Sequence, residues 1–125
     1  MNIALWIVQI LLAIVFLIAG IMKVTKTKEE MAEKMRWVED FSQQAIRTIG
    51  VLEILGAVGL ILPAVTGILP ILTPLAAVCL VLTMIGAIIA HVRHGEYSDI
   101  VINLVLLAMA AFVVYGRFIA APLTV

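Results

Sequence analysis

The sequence predicts an all-α integral membrane protein, a four-helix bundle with an amphipathic interfacial helix between spans one and two. Three observations lead there. Four apolar stretches long enough to cross a bilayer fill most of the 125 residues. Hydrophobic residues make up 65% of the chain, charged residues 13%, and the mean hydropathy is +1.25, whereas soluble domains average roughly 45–50% apolar and about 25% charged. The charges are also segregated: residues 23–47 carry six of the eight Lys and Arg residues and five of the acids. A formal net charge of zero therefore hides a charged loop between apolar halves, and nucleic acid is not an expected partner.

Span one is placed at residues 2–22, apolar apart from Asn2 and Gln9, because about 20 residues at ~1.5 Å each cross a hydrocarbon core of ~30 Å. Nothing before Lys23 is basic and the run has full membrane length, so it reads as an uncleaved anchor rather than a signal peptide. The stretch Leu17-Ile18-Ala19-Gly20 looks like a lipoprotein processing site, but Ile21 stands where a lipidated cysteine would be required.

The interfacial helix is placed at about residues 27–42, where Met31, Met35, Val38 and Phe41 recur at helical spacing and Trp37 suits the headgroup region. Two i,i+4 pairs, Glu30 with Lys34 and Arg36 with Asp40, add only a few tenths of a kcal/mol each. Residues 48–90 then hold a single charged side chain, Glu53, and are too long for one crossing. Two spans must share them, at about residues 48–66 and 71–91, broken where Pro63, Gly67, Pro70 and Pro74 cluster. After the polar stretch 93–99, span four is placed at residues 100–116, so that residues 1–125 form a single transmembrane domain.

Four crossings leave both termini on one side. The first and third loops hold seven of the Lys and Arg residues against Arg117 alone on the terminal side, so the positive-inside rule makes those loops cytoplasmic and both termini external. The expected location is a bacterial or archaeal plasma membrane.

Placed by depth, the polar residues gather in one leaflet. Lys23 closes span one, Glu53 lies about one and a half turns into span two by the ~3.6 residues per turn of a helix, His91 closes span three, and Asn103 is one turn into span four beside Asp99. A carboxylate in hydrocarbon costs ~2.5–3.5 kcal/mol on insertion scales and usually faces the bundle interior, so Glu53 needs a partner. It is either half of a structural ion pair with Lys23 or His91, or a functional carboxylate for a cation, proton or polar headgroup. Lys23, Glu53, His91 and Asn103 are the candidate ligand-binding residues. His91 and His94 with Glu53 have the ligand types of a metal site, but no independent spacing supports one, and no metal is assigned. Gly50, Glu53, Gly56 and Gly59 recur every three residues, and Ala76, Cys79, Thr83, Gly86 and Ala90 form a small stripe on span three; both read as close-packing faces, with Cys79 and Gly86 as packing elements. Arg117 reads as an outer-interface anchor. Cys79 is the only cysteine, which excludes an intrachain disulfide, a Cys-x-x-Cys pair and a thiolate zinc cage.

The segments running Phe16 to Lys23, Gly50 to Pro63, Met84 to His91 and Asn103 to Arg117 resemble DoxX-like membrane proteins. The resemblance touches all four spans and implies a small four-helix membrane bundle, some relatives being linked to quinone-coupled oxidation of sulfur compounds. It marks Lys23, Glu53, His91, Asn103 and Arg117. A binding or assembly protein holding a lipid, quinone or partner in a polar pocket is the first expectation. A subunit of a quinone-linked membrane oxidoreductase is an alternative, with quinone as its cofactor because the chain has no cysteine pair, glycine-rich nucleotide loop or paired intramembrane histidines; the isolated chain does not read as a self-sufficient enzyme. A small proton-coupled transporter is the other alternative. The bilayer is the expected environment, and a membrane-protein partner or a homo-oligomer is compatible with the small-residue stripes.

Overall fold

The structure, a computed structural model, describes residues 1–33, 38, 39 and 41–123. Within them α-helix forms at α1 (Asn2–Thr25), α2 (Lys28–Ala32), α3 (Gln43–Thr66), α4 (Leu72–Arg93) and α5 (Tyr97–Tyr115), the last running on into a π-helical turn, Gly116–Ala120. The four long helices are each apolar enough to cross a membrane, and no strand is present among the described residues. They pack as a ring in which α1 meets α3 and α5, and α4 meets α3 and α5.

Each long helix is apolar on both faces, so it is size and polarity that sort inside from outside. On α1 the residues Leu5, Gln9, Leu12, Phe16 and Gly20 are buried, while Ile3, Ile7, Ile10, Ile14 and Ile18 are exposed. An exposed isoleucine stripe is what lipid solvates without cost, and the one strongly polar side chain in mid-helix, Gln9, turns inward. The core between the helices is Leu12, Phe16, Ala57, Leu60, Ala77, Leu80, Met84, Ala110 and Val113.

Glycine sets how closely the helices approach. A Cβ on Gly20 would lie 2.6 Å from the Gly50 carbonyl oxygen, and one on Gly50 would lie 2.8 Å from the Gly20 oxygen, so α1 and α3 touch backbone to backbone. Further along α3, Gly56 takes the Leu80 side chain and Gly59 takes Ala76, which fixes α3 against α4. The expected close-packing face of the second span is thus split between two neighbours.

The helices begin and end beyond the apolar runs because polar caps extend them. The Ser42 side chain accepts from the Ala45 N–H and starts α3 at Gln43, ahead of the apolar run at residue 48. At the end of α4, Gly95 takes φ +66° while the Glu96 and Gly95 N–H groups donate to the His91 and Val92 carbonyls, the double bond of a glycine C-terminal cap. Between α3 and α4 the chain turns at Gly67, whose φ is +72°. Pro63 lies inside α3 and has no N–H for the Gly59 carbonyl; the Thr73 hydroxyl donates to that oxygen at 2.9 Å instead. Pro74 sits in the first turn of α4, where no intrahelical donor is required.

The segment between α1 and α3 departs from a single interfacial helix over residues 27–42. Among the described residues of this segment, α-helix covers Lys28–Ala32, started by a capping box in which Thr27 and Glu30 satisfy each other's backbone N–H groups. Its apolar residues face the bundle rather than the bilayer surface: Met31 and Val38 are buried with Ile46 of α3 and Ala90 of α4. Lys34, Arg36, Trp37 and Asp40, and hence both i,i+4 pairs and the headgroup tryptophan, lie outside the described residues, as does Met35.

Candidate functional site

The backbone contact at Gly20 and Gly50 decides what the next turn brings together. Lys23 follows Gly20 by three residues and Glu53 follows Gly50 by three, and their side chains meet with Nζ 2.7 Å from Oε1. The Glu53 side chain is 2% exposed and that of Lys23 is 11% exposed, so the pair is held largely out of water. Of the two partners the sequence offered Glu53, the structure supplies Lys23. Because α3 begins at Gln43, the carboxylate is three turns into its helix rather than one and a half.

The pair forms part of the wall of a cavity of about 470 Å³ that all four long helices line. Phe16 and Lys23 come from α1, Glu53 from α3, Met84 and His91 from α4, and Asn103 and Leu106 from α5, with Phe41 contributed by the loop. Lys23, Glu53, His91 and Asn103 therefore share one space, although they are distributed over four helices. The wall is mostly apolar, with the polar groups toward the loop end of the bundle, a lining suited to a molecule with a small polar head and a hydrocarbon body. His91 is oriented from the turn beyond α4: its Nδ1 lies 3.3 Å from Glu96 Oε1 and 4.0 Å from Asp99 Oδ2. These three residues place possible metal-ligating atoms within 4.8 Å of one another. Among the described residues it is this trio, rather than His91 and His94 with Glu53, that groups ligand types.

The sequence pattern of the DoxX-like family matches residues 7–113, from the second turn of α1 nearly to the end of α5. The chain belongs to the DoxX-like family. No curated protein and no solved structure matches it significantly. Together with the four membrane-length helices, membership makes it an integral membrane protein. The four cavity residues named from the sequence all fall inside the DoxX-like match, whereas Arg117, which the resemblance also marked, lies beyond it.

Three residues of this DoxX-like protein stand elsewhere than the sequence suggested. Gly86 is not a packing element: a Cβ there would meet nothing within 4 Å, and the residue lines the cavity, where the lack of a side chain leaves room. Cys79 does not pack inside the bundle but is exposed on its outer surface. Of that stripe, Ala76 meets Gly59 and Thr83 joins Gly86 on the cavity wall.

Arg117, read as an outward anchor, turns inward and is 3% exposed. Its Nε donates to Gln9 Oε1 at 2.7 Å, and its Nη1 donates to Asn2 Oδ1 at 2.7 Å and to the Ala121 carbonyl at 3.0 Å. The Gln9 amide in turn donates to the Leu60 carbonyl at 2.7 Å, and the Trp6 ring lies 5.7 Å from the guanidinium carbon. This network at the opposite end of the bundle was missed. Its signal was present as Asn2 and Gln9, the polar exceptions in the first span, spaced about two turns apart on one face.

Proposed function

We propose that this DoxX-like protein is a membrane binding protein for an amphipathic molecule, a quinone or a lipid, whose polar head lies against Lys23, Glu53, His91 and Asn103 while its apolar body occupies the remainder of the cavity. The observation that carries this reading is the cavity itself: about 470 Å³, within the roughly 300–1,000 Å³ range of ligand sites, apolar over most of its wall and polar at one end. The Lys23 ammonium provides a donor for a carbonyl or phosphate oxygen, and the Asn103 amide can both donate and accept. Glu53 holds the ammonium in place and lowers the cost of keeping it away from water, so the pair positions a cation rather than offering a free carboxylate. The excess of Lys and Arg in the first and third loops supports a cytoplasmic position for the polar end and an external position for both termini.

Native mass spectrometry with lipid and quinone extraction, on the wild type and Glu53→Gln, tests the proposal. An adduct present in the wild type and lost in the variant is expected, and its mass identifies the ligand class. A quinone in the extract would direct attention to the oxidoreductase-subunit reading. The absence of any adduct in either protein, with both remaining folded, would refute the binding role and leave Lys23 and Glu53 as a structural pair.

A further inference from the structure

Among the described residues, no anion is paired with the guanidinium of Arg117. Its hydrogen bonds go to the Gln9 and Asn2 amides and to a backbone carbonyl, all neutral acceptors, and Nη2, buried from solvent, has no hydrogen-bond partner among the described residues. The chain's eight acidic side chains occupy positions 29–53 and 96–99, and those among the described residues lie toward the opposite end of the bundle from Arg117. The surroundings add positive potential: through Asn2, Arg117 sits at the start of α1, a 24-residue helix whose N-terminus has no side-chain cap. A buried cation is normally paired with a charge of opposite sign, because neutral dipoles do not cancel its field.

We propose that Arg117 is the binding site for the phosphate of an anionic phospholipid from the leaflet at the terminal end of the bundle. A phosphate oxygen takes the vacant Nη2 donor, and the neighbouring α1 N-terminus favours the same negative charge. The surroundings suit a lipid phosphate rather than a free ion. Ile3, Phe118 and Ile119 are exposed beside the cluster, on helices long enough to cross a membrane, and provide apolar surface for the acyl chains below a bound headgroup. Nη2 is closed off, so the segment that lends the Ala121 carbonyl to Nη1 must yield as the lipid arrives. That segment follows the π-helical turn Gly116–Ala120, a wider geometry common where a helix is adapted to function. The proposal is independent of the cavity, which lies toward the other end of the bundle.

The test is a titration of the delipidated protein in mild detergent with phosphatidylglycerol and with phosphatidylcholine of identical acyl chains, read by native mass spectrometry and by thermal melting. The wild type is expected to bind one phosphatidylglycerol at least tenfold more tightly than phosphatidylcholine. Arg117→Gln should abolish the preference, Arg117→Lys should keep part of it, and Arg93→Gln, which removes an exposed cation at the other end, should leave it intact. A wild type that does not discriminate between the two lipids would overturn the proposal without recourse to any variant, as would undiminished preference in Arg117→Gln. A parallel arm uses inorganic phosphate: protection equal to that by phosphatidylglycerol at the same concentration would overturn the lipid as the source of the anion.

Discussion

Replacing Gly20 by alanine tests whether backbone contact between α1 and α3 builds the Lys23–Glu53 site. The new Cβ would lie 2.6 Å from the Gly50 carbonyl oxygen, 2.7 Å from Ile54 Cγ1 and 3.1 Å from the Ile54 nitrogen. The Ile54 side chain can rotate, but the two backbone atoms cannot move without separating the helices. Overpacking of this kind costs typically ~1–3 kcal/mol. Alanine also gains about 1 kcal/mol of helix propensity over glycine, which would mask part of the loss, and Gly86 provides the correction. It lies in mid-helix in α4 with open space where its Cβ would be, so Gly86→Ala registers the propensity gain without a clash. The difference between the two variants should be about 1–3 kcal/mol, with Gly20→Ala the less stable. Reversible unfolding in mixed detergent micelles measures it. Glu53→Gln should then cost less in the Gly20→Ala background than in the wild type, because the pair is already pulled apart. Equal stability of the two alanine variants, or an undiminished cost of Glu53→Gln, would refute the argument that the glycine contact sets the site.

Other outcomes follow from the same geometry. Lys23→Met alone should destabilise by several kcal/mol, since the carboxylate partner is left buried and unpaired, and the double variant Lys23→Met with Glu53→Gln should recover much of the loss in a double-mutant cycle. Gly86→Phe places a ring where the cavity is open, so bound ligand should fall at least tenfold by extraction while the melting midpoint stays within a few degrees; retention of the ligand would show that it does not occupy this space. Thr73→Val should cost about 1 kcal/mol through loss of the bond to the Gly59 carbonyl, and nothing measurable in a Pro63→Ala background, where the restored N–H at position 63 serves that oxygen. Cys79→Ala should leave stability within about 0.5 kcal/mol, as for other surface positions, because the thiol faces outward.

Much of this architecture was legible in the sequence because lipid imposes one-dimensional rules. A run of apolar residues either spans the bilayer or does not, and the Pro and Gly cluster at 63–74 had to hold a reversal. The gathering of Lys23, Glu53, His91 and Asn103 toward one end followed from counting residues along helices, since depth in a membrane is a linear coordinate. Which side of each helix faced which neighbour was not legible. With apolar residues on both faces of every span, periodicity could not separate Ile14, toward lipid, from Leu12, in the core. It gave no reason to place Gly86 on a cavity wall, although the small residue Gly20, one turn before Lys23, did signal a close helix contact. At 27–42 the amphipathic pattern specified an apolar face but not its counterpart, which for Met31 and Val38 is the end of the bundle.

The sequence by itself therefore determined the solvent, the four membrane-length helices and the end of the bundle at which Lys23, Glu53, His91 and Asn103 gather, because those depend on the order of residues along contiguous segments. Only the tertiary structure decided rotation and pairing. It chose Lys23 rather than His91 for Glu53, and it drew Arg117 inward onto Gln9 across 108 residues of chain. The physical reason is that rotation about a helix axis costs almost nothing in lipid when both faces are apolar. The orientation is then selected by the contacts that tolerate least error: glycine against backbone, and a buried charge or amide against its partner.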